Sequence, residues 1–215
     1  MIVTSYDCSL RERGNVWMAK EKEMEVKNLL TKTEFQLLCE NFGITEDQFT
    51  WQTNIYYDTP EFSIRKKQAS LRTREKNDSF ELTLKQKADI GKWETNQTIS
   101  RADVERLKEW NELPEGEVKS QLIQLFSKLP SPIESFGSLQ TKRAEIPYQT
   151  GTLFLDHSVY LDKEDFEIEI EGESMEEVER LLHALLSQYD IPKRNTKSKI
   201  KRFFTRLQEL QQSTE

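Results

Sequence analysis

The chain reads as an α+β protein built on one antiparallel sheet whose strands each carry an ionic face. Three observations predict this. Glu23, Glu25 and Lys27 alternate with Met24 and Val26. Lys85 and Lys87 follow Phe80, Leu82 and Leu84 on the opposite parity. Asp165, Glu167, Glu169 and Glu171 alternate with Phe166, Ile168 and Ile170. Successive side chains on a strand point to opposite faces, so each segment has one charged and one apolar side. With acids on some segments and bases on others, the ionic faces are expected to converge on a metal–polyanion complex.

Size and composition agree with this class. The 215 residues suffice for one substantial domain with helical additions. A net charge of −7 argues against a nucleic-acid partner, because such proteins carry a basic excess or stripe. No apolar run approaches the roughly 20 residues that span a bilayer. Met1 to Gly14 contain no signal-peptide core, so a cytoplasmic protein without a membrane partner is expected. Cys8 and Cys39 are too few for a disulfide framework or zinc site, and His157 and His183 are thin material for a histidine-based centre.

Residues 1–19 lack periodicity and read as a flexible arm before a single domain over 20–212. A strand over 21–30 leads into a helix, capped by Thr31 or Thr33, that carries Phe35, Leu37 and Leu38 and ends near Phe42 and Gly43. Trp51 to Tyr57 alternates again and meets the turn Asp58-Thr59-Pro60. Strands follow over Ala69–Lys76, Ser79–Gln86 and Trp93–Ser100, joined by Asn77-Asp78 and by Asp89 to Lys92. Residues 101–129 form two helices separated at Pro114 and Gly116, and Trp110 joins Val104, Leu107, Leu122, Leu125 and Phe126 as core, as does Trp93. Further strands occupy Leu139–Ile146, Gly151–Asp156 and Asp165–Glu171. Ser174 opens an amphipathic helix in a Ser-x-x-Glu capping box, with a leucine stripe over 178–186 in the core. A last helix runs from about Lys197 to Gln212.

The parity sorts chemistry as well as polarity. Glu23, Glu25 and Lys27 share a face; so do Ser70, Arg72 and Arg74; Glu81, Thr83, Lys85 and Lys87; Thr141, Arg143 and Glu145; and Glu167, Glu169 and Glu171, with Asp156 at a strand end. An ordinary antiparallel sheet turns such faces to water. Solvated faces mix signs, since like charges repel, yet the last strand presents carboxylates alone. Convergent carboxylates are what Mg²⁺ or Mn²⁺ selects, and guanidinium forks and lysines suit a phosphate chain.

Glu23-x-Glu25-x-Lys27 resembles the ExExK signature of the CYTH domain, the triphosphate tunnel metalloenzymes. The resemblance continues in order through Tyr56-Tyr57-Asp58-Thr59-Pro60, Leu71-Arg72-Thr73-Arg74, Leu84-Lys85-Gln86-Lys87, Arg143, Asp156, Phe166-Glu167-Ile168-Glu169 and Ser198-Lys199, over about residues 20–205. The chain is most similar to the bacterial branch that includes thiamine-triphosphatase-like and class IV adenylate-cyclase-like members. The resemblance implies a closed eight-stranded antiparallel barrel, a tunnel with an ionic interior and helices packed outside.

It also implies roles. Glu23, Glu25, Asp156, Glu167 and Glu169 would hold one or two Mg²⁺ or Mn²⁺ ions, and Glu171, on the same face near the strand end, joins this metal set or takes an outer-shell or solvated position. Lys27, Arg72, Arg74, Lys85, Lys87, Arg143 and Lys199 would grip the triphosphate; Lys197 is an exposed helix residue, and Glu94 is a further tunnel candidate. Lys27 would order or deprotonate the attacking water. The expected function is metal-dependent hydrolysis of a small triphosphate, whether tripolyphosphate, thiamine triphosphate or a nucleoside triphosphate, by a monomer or homodimer. A class IV-type cyclase releasing pyrophosphate and a non-catalytic polyphosphate or nucleotide binder are the alternatives.

Overall fold

Alternating apolar and ionic residues produce strands that bury both faces, one against helices and the other inside a closed barrel. The computed structural model describes residues 21–213. The expected flexible arm and Cys8 therefore lie outside the described residues. The strands are β1 (Glu21–Leu30), β2 (Thr50–Asp58), β3 (Ala69–Lys76), β4 (Ser79–Lys87), β5 (Lys92–Ile99), β6 (Glu134–Tyr148), β7 (Gly151–Tyr160) and β8 (Lys163–Gly172). They close in the order β1-β5-β4-β3-β2-β6-β7-β8, with every neighbouring pair antiparallel. The seam between β1 and β5 is short, pairing Glu21 with Glu94 and Glu23 with Lys92, before β1 crosses over to β8. The expected eight-stranded barrel is the fold observed. Closure leaves no sheet edge.

The outward faces carry the apolar residues. Leu82 and Leu84 of β4 and Leu71 of β3 pack under α3 (Arg101–Trp110) and α4 (Glu117–Phe126), meeting Val104, Leu107, Val118 and Leu122. Val26, Leu153, Ile168 and Ile170 pack under α1 (Lys32–Asn41) and α5 (Met175–Gln188), meeting Phe35, Leu38, Val178 and Leu181. Thr31 caps α1 in a reciprocal box with Glu34, as its sequence pattern implies. Asn77 and Asp78 both adopt positive φ, the backbone of a tight hairpin turn whose twist suits its strands.

Several boundaries differ from the sequence reading. β6 is longer because β2 continues to Asp58 and pairs with it as far as Glu134, and β7 is longer because it pairs with β8 as far as Tyr160. Asp156 is consequently in mid-strand, not at an end. A short helix α2 (Ser63–Lys66) follows β2, organised by Asp58, whose carboxylate accepts hydrogen bonds from the backbone N–H groups of Thr59, Ile64 and Arg65. Ser174 accepts from the Glu177 backbone, but the Glu177 side chain binds Thr150, so only half of that capping box forms. Trp110 is 64% exposed and Trp93 37%, so neither belongs to the core; Leu37 is also exposed.

The last helix, α6 (Lys199–Gln212), closes one end of the barrel. Phe203 is fully buried against Tyr56, Leu139 and Tyr160. A Cβ at Gly137 would stand 2.3 Å from its ring, and Gly137 has φ of 151°, so glycine is required there on both counts. The segment leading into α6 is strapped to β1. Asn28 donates to Pro192 O at 3.1 Å and accepts from Arg194 N at 2.6 Å, and Leu29 N donates to Thr196 Oγ1 at 2.8 Å. Lys197 lies in this strap, exposed, ahead of the helix. No helix among the described residues is long and apolar enough to cross a membrane. Phe203→Ala should lower the unfolding free energy by roughly 3–5 kcal/mol in urea titrations, the cost of emptying a fully packed aromatic site.

Candidate active site

Inward positions of all eight strands line a cavity of about 490 Å³ that runs through the barrel to the start of α6. Glu23, Glu25, Lys27, Arg72, Arg74, Lys85, Glu94, Arg143, Glu169, Glu171 and Lys199 all border it. The strands hold them there by parity alone: cross-strand partners such as Lys27 and Glu169, or Arg143 and Asp156, point the same way.

The carboxylates divide into two trios. Ligand atoms of Glu23, Glu25 and Glu171 lie within 4.8 Å of one another, and so do those of Asp156, Glu167 and Glu169. In the first trio, Lys85 Nζ is 2.6 Å from Glu23, Lys27 Nζ is 2.5 Å from Glu25, and Lys92 Nζ stands 3.4 Å from Glu25 and 3.7 Å from Glu23. Buried Glu23 Oε2 has no hydrogen-bond partner. Burial and the charges of Glu25 and Glu23 push the Glu171 carboxyl up to about 7. Glu25 lies at about 2: burial and Glu169 raise it, but Lys27, Lys92 and Lys85 prevail. An all-oxygen set with an orphaned buried acceptor, and a carboxyl that burial and two acidic neighbours push up, fits a divalent cation. Glu171 is thus grouped with Glu23 and Glu25.

The second trio is built differently. Arg143 binds Asp156 through two nitrogens, at 2.7 and 2.6 Å, and also reaches Glu169. Lys199 contacts all three carboxylates, and Arg202 contacts Glu167. Glu167 is completely buried beneath these cations. Despite burial, Glu169 is held well below the ordinary carboxylate range by Lys199, Lys27 and Arg143, with a hydrogen bond from Glu167 acting in the same direction.

Two guanidinium groups form the opposite wall. Arg72 has a buried Nε without a hydrogen-bond partner, and its nearest carboxylate, Glu94, is 3.6 Å away. Arg74 Nε donates to Asn54 Oδ1 at 2.9 Å, and no carboxylate forms an ion pair with it among the described residues. Burial, Arg72 and Arg143 pull Arg74 down to about 10. The wall therefore holds more positive charge than it has partners for, an arrangement suited to an anion.

Lys27 sits between Glu25 at 2.5 Å and Glu169 at 2.7 Å. Burial lowers its proton affinity, but Glu169, Glu25 and Glu167 raise it well above the ordinary lysine value. It is an ammonium here, which disfavours the expected removal of a proton from water. Lys87 is exposed at the rim and does not border the cavity. Lys92 and Arg202 escaped the sequence reading. The former opens β5 one position before the strand that the sequence predicts from Trp93, and the latter lies one helical turn after Lys199.

Comparison with known proteins agrees with this geometry. Residues 21–204 match the family model described as the CYTH domain. "Putative triphosphatase YjbK" of Bacillus subtilis (strain 168) is 46% identical over 187 residues, 87% of this chain and 96% of that protein. A crystal structure of "a putative adenylate cyclase" from Bacillus halodurans has a TM-score of 0.83 and 42% identity, covering 87% of this chain and all of the other. A Hippeastrum protein described as a "putative adenylyl cyclase" with a dominant triphosphatase activity shares the fold, with TM-score 0.73 at 22% identity over 85% of this chain and 95% of its own. The chain belongs to the CYTH domain family.

Glu171 gives a pH test of the first trio. A carboxyl raised from 4.5 to about 7 binds its proton more tightly in the folded state, so it favours folding at low pH. That contribution is lost as pH rises through about 7. In chelator-treated protein, Glu171→Gln should gain stability relative to the unsubstituted chain as pH rises from 4.5 to about 7, read from urea midpoints. A pH-independent difference would remove this view of the trio.

Proposed function

We propose that this member of the CYTH family is a divalent-metal-dependent hydrolase of small triphosphates. The observation that carries the reading is the pairing of an under-neutralised guanidinium wall, Arg72 and Arg74, with a carboxylate trio, Glu23, Glu25 and Glu171, across one cavity. Such a pair of walls suits a phosphate chain with its counter-ion. The 46% identity to a protein named as a triphosphatase supports the same conclusion.

Each side chain has a separate task in this scheme. Arg72 and Arg74 bind phosphate oxygens, Arg72 through the Nε that has no other partner. Lys85 bridges the walls, 2.6 Å from Glu23 and 3.1 Å from Glu94, and is positioned to follow phosphate charge. Lys27 remains protonated between Glu25 and Glu169 and acts as a fixed cation that orients phosphate or water. Arg143 stacks 4.2 Å over Phe154 and is pinned by Asp156, so it presents its remaining N–H groups in one direction. Glu23, Glu25 and Glu171 would hold an Mg²⁺ or Mn²⁺ ion, which when bound would neutralise charge on the phosphate oxygens. Water attack at the terminal phosphorus releases orthophosphate.

The likeness to a protein described as an adenylate cyclase favours one second reading. There, a ribose 3′-hydroxyl attacks the α-phosphorus and pyrophosphate leaves. Incubation of the purified chain with tripolyphosphate, thiamine triphosphate or ATP, with Mg²⁺ and Mn²⁺ in turn, separates these readings. The expected product is ion-dependent orthophosphate. Cyclic AMP with pyrophosphate from ATP would establish the second reading, and no product from any of the three would defeat both.

Arg74→Met should lower kcat/KM on the order of 100-fold or more, as loss of one charge-stabilising donor does. The same substitution should leave the melting temperature unchanged or raise it, because it removes a buried cation lacking a carboxylate partner. Loss of stability in step with activity would show that the guanidinium is structural.

A further inference from the structure

The two acidic trios have the same span and the same chemistry but are filled differently. Lys199 Nζ lies 2.6 Å from Asp156 Oδ2 and 2.8 Å from Glu169 Oε1, and also binds Glu167 Oε1. The ammonium donates hydrogen bonds to Glu167 and Glu169 and forms an ion pair with Asp156, so one cation serves all three carboxylates. Arg143 and Arg202 supply further bonds to the same residues. No oxygen of this trio is among the buried side-chain atoms without a hydrogen-bond partner, whereas Glu23 Oε2 of the other trio is.

We propose that Lys199 is a built-in counter-cation standing in for a second divalent ion. The protein then loads a single ion, at Glu23, Glu25 and Glu171. The inference rests on the assignment of that trio made above and deepens it. A divalent ion at Asp156, Glu167 and Glu169 would compete for the oxygens that Lys199 occupies, beside Arg143 and Arg202. The backbone of Lys199 is anchored, since it is the first residue of α6 and Phe203, one turn on, is packed against Tyr56, Leu139 and Tyr160. A trio whose neutralising charge arrives on a packed helix needs no dehydrated Mg²⁺, an ion that gives up water reluctantly. It follows that Lys199 is a positioning residue for the acidic wall and not a phosphate ligand, because its charge is already committed to three carboxylates.

Titration of the full chain with Mn²⁺ alone tests this, with calorimetry for stoichiometry and electron paramagnetic resonance for free ion. The unsubstituted chain should bind about one equivalent and Lys199→Ala about two, the second occupying the vacated trio. Two equivalents in the unsubstituted chain, or an unchanged count in Lys199→Ala, would overturn the proposal. Should Lys199→Ala fail to fold, Glu167→Gln serves instead: it should keep one equivalent with an unaltered Kd, and losing that ion would be fatal. Glu25→Gln should abolish the single equivalent. Its retention would defeat the assignment of the first trio itself, whereas absent phosphate release with normal Mn²⁺ binding would defeat only the proposed reaction.

Discussion

The structure depends on neutralising charge inside a closed sheet. Turning the ionic faces inward lets the apolar faces pack under α1, α3, α4 and α5 outside, but it removes many charges from water. Each such charge is expensive unless paired and hydrogen-bonded. Cross-strand register supplies most of the pairing: Lys27 with Glu169 and Arg143 with Asp156 are direct partners across the ladder. Where register does not suffice, a helix brings the charge from elsewhere, as α6 does with Lys199 and Arg202.

What pairing leaves over is where chemistry is available. Arg72 keeps a buried N–H without an acceptor, Arg74 has only the neutral Asn54, and Glu23 keeps a buried oxygen without a donor. These imperfections reduce stability and persist at positions facing a common cavity. Excess positive charge on one wall and excess negative charge on the other describe a site awaiting an anion and a cation together. The second trio, with its three carboxylates covered by Lys199, Arg143 and Arg202, is the contrasting case of charges brought to balance within the chain.

Much of this was legible in the sequence because period-two alternation reports directly on facing. Glu23-x-Glu25-x-Lys27 and Glu167-x-Glu169-x-Glu171 assign sides without knowledge of the partner strand. The ordered resemblance then supplied closure and strand number. The remainder depended on contacts between distant segments. Nothing in Ser198-Lys199 says whether the ammonium reaches phosphate or three carboxylates, since that follows from how deeply Phe203 seats against Gly137. Similarly, Lys87 has the right parity but sits past the end of the cavity lining, a matter of strand stagger. Trp110 looked like core on composition, but the last residue of α3 projects beyond the cluster that its helix covers.

The central claim is that both walls act on one ligand within the barrel. A crystal structure with Mn²⁺ and a non-hydrolysable imido analogue of tripolyphosphate, using manganese anomalous scattering, tests it most directly. The account predicts an anomalous peak among Glu23, Glu25 and Glu171, with the phosphate chain spanning from it to Arg72 and Arg74. Phosphates bound outside the barrel, or a metal peak remote from those three carboxylates, would contradict it.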